Sequence, residues 1–270
     1  MASLSPVASA SNSGVVDTGI ARFRNEISYG LHANHRNVVK IHSHSEDDES
    51  FYYVMDLYSM TLREVIKAES DYKALLDYLL QLCDGLAHVH REGVVHRDIK
   101  PENVLVDIEK RQLVLADFGI ARFKNSSLTK RGQLLANRNY LAPEQMARRD
   151  PDSVGKPSDV FALGLIATEM FTKHNSRGGR HPLVRDTYPF LSDVDLLAER
   201  MMLQDETRRI GIEAVRDSLL RISRQVGSMI DDIAEELRPG EPLTVGAPAE
   251  VGLTLERAAR DVLWVCCRDR

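Results

Sequence analysis

The sequence predicts an α+β fold in which a short β-prone region precedes a mainly helical remainder. Apolar residues recur at spacings of three and four over residues 75–89, which is typical of one buried helix face. Residues 161–171 are apolar on most sides, as expected of a helix inside a core. Residues 51–57 are rich in aromatic and β-branched side chains and, like residues 112–116, are predicted to form a strand.

Composition limits the class of protein. At 270 residues the chain is long enough for one large domain or two lobes, and its 43% hydrophobic and 28% charged residues are ordinary for a globular protein. The net charge of −5 argues against a nucleic-acid partner. The apolar run at 161–171 is too short to span a bilayer, so no membrane partner is expected. With one isolated cysteine, Cys83, and the adjacent pair Cys266 and Cys267, the chain has no disulfide framework, which fits the cytoplasm.

Three motifs carry the chemistry. The first is the stretch at residues 96–105, His-Arg-Asp-Ile-Lys-Pro-Glu-Asn-Val-Leu. It is followed by Asp-Phe-Gly at 117–119 and Ala-Pro-Glu at 142–144. Phosphoryl transfer needs one carboxylate to orient and deprotonate the attacking hydroxyl, and a second carboxylate with an amide oxygen to hold Mg²⁺. Asp98, Asp117 and Asn103 supply these groups.

This ordered set of motifs resembles the eukaryotic-type serine/threonine protein kinase family. The resemblance implies a kinase-like fold, with ATP and Mg²⁺ as cofactors and a protein as substrate. It makes Asp98 the catalytic base, and Lys100 the cation that stabilises the γ-phosphate. Asn103 and Asp117 become the metal ligands.

The resemblance also assigns residues around the nucleotide and the activation segment. Glu26 corresponds to the glutamate of the kinase αC helix, Met55 to the gatekeeper, and residues 56–58 to the hinge. The nucleotide contacts are then Glu26, Asp56, Tyr58 and Leu105. Regulatory positions are Arg97, which is suited to a phosphate, and the candidate phosphorylation sites Ser126, Ser127 and Thr129. Structural positions are Glu144, Arg209 as its ion-pair partner, and Asp159, which is expected to bind the backbone of the catalytic loop.

The amino-terminal region departs from the family pattern. A kinase begins with three strands that carry a Gly-rich loop and the lysine that pairs with the αC glutamate. This sequence has no G-x-G-x-x-G and no lysine before Lys40. Glu26 therefore has two open interpretations, a nucleotide-site residue or a solvated helix residue. Gly30, four residues later, stands where the family usually places an apolar side chain.

The predicted organisation follows from these assignments. Residues 1–19 are expected to be a disordered leader and residues 20–237 a kinase-like domain. Within that domain, residues 20–57 would form a truncated N-lobe and residues 58–237 the C-lobe. Residues 238–270 would form a linker with a terminal helix or tail.

Three hypotheses for function follow. The first is an active serine/threonine kinase, which the complete set of C-lobe groups favours. The second is a pseudokinase or regulatory scaffold, which the missing loop and lysine favour. The third is a truncated gene product of a full kinase. The substrate, the activating input and the oligomeric state are not readable from the sequence.

Overall fold

Two small antiparallel sheets and a set of helices form the parts of the chain that the computed structural model describes, residues 27–46, 51–117, 137–147, 154–175 and 181–236. Helix α1 covers residues 27–32. Strand β1 (Ile41–Glu46) then pairs antiparallel with β2 (Phe51–Met55), with Ile41 opposite Met55 and an irregularity between Ile41 and Ser43. The prediction of a strand in the 51–57 region is confirmed.

The second sheet has the order β3-β4-β5 and lies next to residues 96–103, called the catalytic loop here after the role that the resemblance implies. Its strands are β3 (Met60–Thr61), β4 (Val104–Asp107) and β5 (Gln112–Leu115). Helix α2 (Leu62–Ala68) follows β3 directly, and Thr61 with Glu64 caps its first turn. The catalytic motif thus runs straight into β4, and β5 runs straight to Asp117.

The remaining helices build most of the described fold. They are α3 (Tyr72–Arg91), α4 (Pro143–Ala147), α5 (Lys156–Thr172), α6 (Val184–Thr187), α7 (Ser192–Met201) and α8 (Ile212–Glu236). Short 3₁₀ turns occur at Pro101–Asn103, Asn137–Tyr140, Pro189–Leu191 and Glu206–Arg208. The mainly helical remainder is therefore confirmed. No helix in the described ranges is long and apolar enough to cross a bilayer.

Helix α3 shows how the local sequence defines an element. Its amino terminus is capped by Asp71, whose side chain accepts a hydrogen bond from the backbone N–H of Lys73 at 3.0 Å. Just beyond its last turn, Gly93 adopts a φ of +78°, a conformation that glycine reaches without steric cost. The predicted leucine face is fully buried: Leu75, Leu79, Leu82 and Leu86 are each 0–1% exposed.

The core lies where α3, α5 and the second sheet meet. Helix α5 is buried on nearly every side, as its sequence predicts, and Leu163, Ile166 and Met170 are 0% exposed. Each such side chain stabilises the fold by about 1.5–3 kcal/mol relative to an exposed one. The catalytic loop packs on this core.

Asn37 joins the amino-terminal part of the chain to this core. Its side-chain amide donates to Gln81 Oε1 at 2.9 Å and to the carbonyl of Leu113 at 2.7 Å. Its own carbonyl accepts from the N–H of Leu115, and the N–H of Val39 donates back to Leu115. The segment before β1 is therefore hydrogen-bonded to α3 and β5.

Gly30 has a packing reason that the sequence does not reveal. A Cβ atom at this position would lie 2.5 Å from Cδ1 of Ile41, closer than real contacts allow. The glycine therefore lets helix α1 approach the start of β1. Its intrinsic cost in a helix, about 1 kcal/mol relative to alanine, is offset by that approach.

Candidate active site

The catalytic loop holds three of the predicted groups together around one carboxylate. Lys100 Nζ lies 2.8 Å from Oδ2 of Asp98, and both side chains are only 12–15% exposed. The side-chain amide of Asn103 donates to the backbone carbonyl of Asp98 at 2.9 Å and to its Oδ2 at 3.2 Å. The negative charge of Asp98 is thereby balanced and its orientation is fixed.

A buried aspartate holds the backbone of this loop. Asp159, near the start of α5 and 1% exposed, accepts hydrogen bonds from the N–H of His96 at 2.8 Å and of Arg97 at 2.7 Å. His90 Nε2 donates to the same carboxylate at 2.9 Å. Arg97 adopts a left-handed φ of +66°, an uncommon conformation for a side-chain-bearing residue. Such conformations persist only where surrounding contacts enforce them, and Asp159 supplies two of those contacts.

His96 connects the loop to the strand that leads to Asp117. Its ring is fully buried; Nε2 donates to the carbonyl of Ala116 at 3.1 Å, and Nδ1 accepts from the N–H of Asp98 at 3.3 Å. This pair of bonds fits the neutral ring protonated on Nε2. The imidazole thus fixes the spacing between Asp98 and the residue before Asp117.

Asn103 and Asp117 are placed side by side by one backbone hydrogen bond. The N–H of Ala116 donates to the carbonyl of Asn103 at 2.9 Å, and Asp117 follows directly with a left-handed φ of +56° and an exposed side chain. Both N–H groups of the Asn103 amide are used within the loop, so its oxygen is the atom left to act as a ligand. An amide oxygen and a carboxylate are the hard donors that Mg²⁺ takes when substrate phosphates complete its shell. The residues present therefore fit a magnesium ion.

The Ala-Pro-Glu motif is anchored by an arginine whose five donors are all used. Arg209 makes a bidentate pair with Glu144 at 2.5 and 2.7 Å, and its other bonds go to the carbonyls of Leu203, Pro157 and Gln204. The arginine side chain is 0% exposed and the glutamate 8%. Because a buried ion pair is stable only when its hydrogen bonds are complete, this arrangement fixes the segment after Ala142.

Gln145, which the sequence analysis did not single out, bridges this motif to the catalytic loop. Its amide donates to the carbonyl of Arg97 at 2.8 Å, and its oxygen accepts from the N–H of Ala142 at 2.8 Å. Its position directly after Glu144 was the one feature of the sequence that could have pointed to a role for Gln145. The two motifs are therefore held at a fixed separation.

A second polar network beside the loop was also missed. Arg63 of α2 donates to Glu102 at 2.8 Å, to Glu169 of α5 at 2.5 Å and to the Tyr140 hydroxyl at 2.5 Å. The Tyr140 hydroxyl donates in turn to Glu169. Burial, together with the hydrogen bond to that carboxylate, raises the pKa of Tyr140 above its ordinary value. The network joins α2, the catalytic loop and α5 across 106 residues of sequence.

The residues predicted to contact the nucleotide differ in how far they are buried. Leu105 lies in β4 opposite Thr61, half-buried against the core. Tyr58 is half-buried, and burial, with the charges of Asp56 and Asp107, raises the pKa of its hydroxyl. Asp56 is exposed and pairs with His42 at 2.9 Å, and Met55 is 36% exposed. Glu26, Ser126, Ser127 and Thr129 lie outside the described residues, so their roles stay predictions.

Comparison with known proteins identifies the family. The protein kinase domain family matches residues 8–218, so the chain belongs to the protein kinase family. It is 37% identical over 157 residues to the serine/threonine-protein kinase PrkC of Bacillus subtilis, covering 57% of this chain and 24% of that protein. It is 35% identical over 159 residues to PknL of Mycobacterium tuberculosis, covering 57% of this chain and 39% of PknL.

More distant relatives extend the match. An Aurora kinase of Candida glabrata is 28% identical over 211 residues, covering 73% of this chain and 57% of that kinase. The crystal structure of the Mycobacterium tuberculosis PknI kinase domain superposes with a TM-score of 0.60 at 22% identity, covering 77% of this chain and 79% of that domain. The protein-kinase-like α+β fold is confirmed. The chain spans 24–57% of the length of these three curated relatives.

Proposed function

We propose that this chain is a serine/threonine protein kinase that transfers the γ-phosphate of ATP to a protein hydroxyl. The observation that carries the proposal is the arrangement of Asp98, Lys100 and Asn103, joined through Ala116 to Asp117. Protein kinases generally use ATP and Mg²⁺ and act on proteins. The named bacterial relatives are serine/threonine kinases, which supports that substrate class.

Each side chain has a definite task under this proposal. Asp98 orients the substrate hydroxyl and accepts its proton at a carboxylate oxygen, and the ammonium group of Lys100 stabilises the charge on the transferred phosphate. Asn103 and Asp117 would hold Mg²⁺, which when bound neutralises phosphate charge. Asp159 and His96 touch none of the reacting atoms and act by positioning the loop.

The scaffold hypothesis receives no support from the described residues, and the named relatives are kinases. Tyr58, Asp56 and Leu105 are proposed to meet the nucleotide, with Glu26 as the αC glutamate. Arg97 is proposed to read phosphorylation at Ser126, Ser127 or Thr129. Composition adds the inference of a cytoplasmic enzyme that acts on neither nucleic acid nor membrane.

The test is transfer of labelled γ-phosphate from Mg²⁺–ATP to the 270-residue chain and to a generic basic protein. Asp98→Asn is expected to lower the rate by about 10² to 10⁴, the usual contribution of a general base. Asp232→Asn, at the exposed far end of α8, is the matched control and should keep the full rate. Equal background for the unaltered chain and Asp98→Asn would overturn the proposal.

A further inference from the structure

An open groove that includes none of the residues of the catalytic loop forms a second candidate binding site. It lies between the end of α3 and the starts of α5 and α8, and its volume is about 520 Å³. We call it the rear groove. Its volume falls within the range of small-molecule sites, roughly 300–1,000 Å³.

The walls of the rear groove are mostly apolar. They are formed by Ala87 of α3, Val160 of α5, Ile210 just before α8, and Ile212 and Ala214 in the first turn of α8. Apolar walls of this extent favour the hydrocarbon part of a ligand over a simple inorganic ion.

The charges around the groove favour an anionic head group. Lys156, at the first position of α5, is exposed and has no ion-pair partner among the described residues. Arg91 Nε lies 3.3 Å from Glu213, but these side chains are 63% and 57% exposed, so the pair is weak and open to competition. Arg209 is already neutralised by Glu144. The free charge at the rim is therefore positive.

Two side chains of the groove belong to the networks that hold the catalytic machinery. His90 lines the groove and donates to Asp159, the residue that binds the backbone of His96 and Arg97. Arg209 lines it as well and binds Glu144 of the Ala-Pro-Glu motif. A ligand in contact with His90 is thus separated from the catalytic loop by a single carboxylate.

We propose that the rear groove binds a small amphiphilic carboxylate and stabilises the catalytic loop through His90 and Asp159. The apolar chain lies against Val160, Ile212 and Ala214, and the carboxylate meets Lys156 and Arg91. This site is distinct from the proposed phosphoryl-transfer site and requires no phosphoryl transfer.

The binding test uses octanoate as the probe and calorimetry of the full 270-residue chain. We expect saturable one-to-one binding, with 1-octanol at least threefold weaker because it lacks the charge. Lys156→Gln should weaken octanoate by about threefold, and Ala214→Leu, which fills the groove from an exposed helix position, should weaken it by about tenfold or more. Lys73→Gln, which removes an exposed lysine at the other end of α3, is the control and should leave binding unchanged.

Two further measurements separate this site from the proposed activity. Asp98→Asn should bind octanoate as the unaltered chain does, whether or not the chain transfers phosphate. At saturation, the amides of His96 and Arg97 should exchange with solvent more slowly in the unaltered chain, and this slowing should be lost in Ala214→Leu, in which the groove is filled. The proposal is wrong if octanol binds as tightly as octanoate, if Lys156→Gln and Ala214→Leu bind unchanged, or if the two amides exchange at the same rate with and without the probe.

Discussion

The described chain contains two β-hairpins that differ in how they are buried. In the β1–β2 hairpin, Tyr52, Val54 and Met55 are 36–48% exposed. In the β4–β5 hairpin, Val104, Val106, Leu113, Val114 and Leu115 are each 0–1% exposed. The catalytic motif enters the buried hairpin at Val104, and Asp117 leaves it two residues after Leu115.

The comparison shows which part of the molecule holds the predicted catalytic side chains in place. The buried hairpin packs on α3 and is tied to α5 through His96 and Asp159, so Asp98, Asn103 and Asp117 share one rigid support. The exposed hairpin is joined to that support through the segment around Asn37. Four measurements sharpen or break this distinction, taken here from the largest expected effect to the smallest.

The largest loss of stability is expected from replacing Arg209, which belongs to the buried part of the molecule. Arg209→Ala leaves the buried Glu144 carboxylate without its partner and should lower the free energy of unfolding by about 3–5 kcal/mol. Urea unfolding followed by circular dichroism measures the loss. Arg208→Ala, at the neighbouring exposed position, should stay within about 0.5 kcal/mol. A loss of unfolding free energy for Arg209→Ala as small as that for Arg208→Ala would show that the Arg209–Glu144 pair contributes little.

The contact of the amino-terminal segment with α3 is tested by two glycine substitutions. A Cβ on Gly85 would lie 2.4 Å from the carbonyl oxygen of Asn37, so Gly85→Ala should destabilise the chain by about 2–3 kcal/mol. Gly227 in α8 has open space around it, so Gly227→Ala should stabilise by about 0.5–1 kcal/mol. Thermal unfolding gives both values. Shifts of the same sign would contradict the close approach at Asn37.

The two hairpins are compared directly by one substitution made in each. Val104→Thr buries a hydroxyl in the core and should cost about 1–2 kcal/mol. Val54→Thr, at a position 48% exposed, should stay within about 0.5 kcal/mol. The free energy of unfolding in urea distinguishes them. Equal costs would mean that the β1–β2 hairpin is as firmly integrated as the other.

The smallest effect is the pH dependence of stability that arises where the amino-terminal segment contacts α3. The ring of His35 stacks on that of His88 with centroids 4.7 Å apart. Burial, then the neighbouring charge of His88, lowers the pKa of His35; Asp84 opposes this shift, and Arg91 and Arg36 add to it. Because the folded state disfavours the protonated ring, stability should be complete above the ordinary histidine pKa of about 6.5 and fall as the pH drops below it.

Unfolding in urea at pH 7.5 and 5.5 tests this expectation. The unaltered chain should lose more stability between these pH values than His35→Gln, which has no ring to protonate. Identical losses in the two chains would show that other groups cause the pH dependence.

Local patterns predicted much of the fold. The leucine spacing in α3, the apolar run in α5 and the β-prone residues of β5 are local signals, and the structure places helices and a strand there. The β-branched side chains of Val38 and Val39 favour a strand at these positions by residue type alone. The strand β1 starts at Ile41, because Val38 instead forms a bridge with Leu115 and both valines are buried in the core.

Long-range polar contacts could not be predicted in the same way. The motif from His96 to Asn103 is contiguous, so its groups could be found by inspection. The Arg63–Glu169 pair joins residues 106 positions apart, and the His90–Asp159 bond joins residues 69 apart. Such contacts depend on how helices pack and leave no periodic signal in the sequence. The reason for Gly30 is likewise a tertiary contact, with Ile41.

Native-state hydrogen exchange tests the central distinction most directly, because it reports the opening free energy of each amide. The amides of His96 and Arg97, which are bound to Asp159, should open only with global unfolding. The amides of β2 that are hydrogen-bonded to β1 should open at a free energy several kcal/mol lower, as expected for a hairpin that lies outside the main core. Equal opening free energies for the two sets would contradict the account.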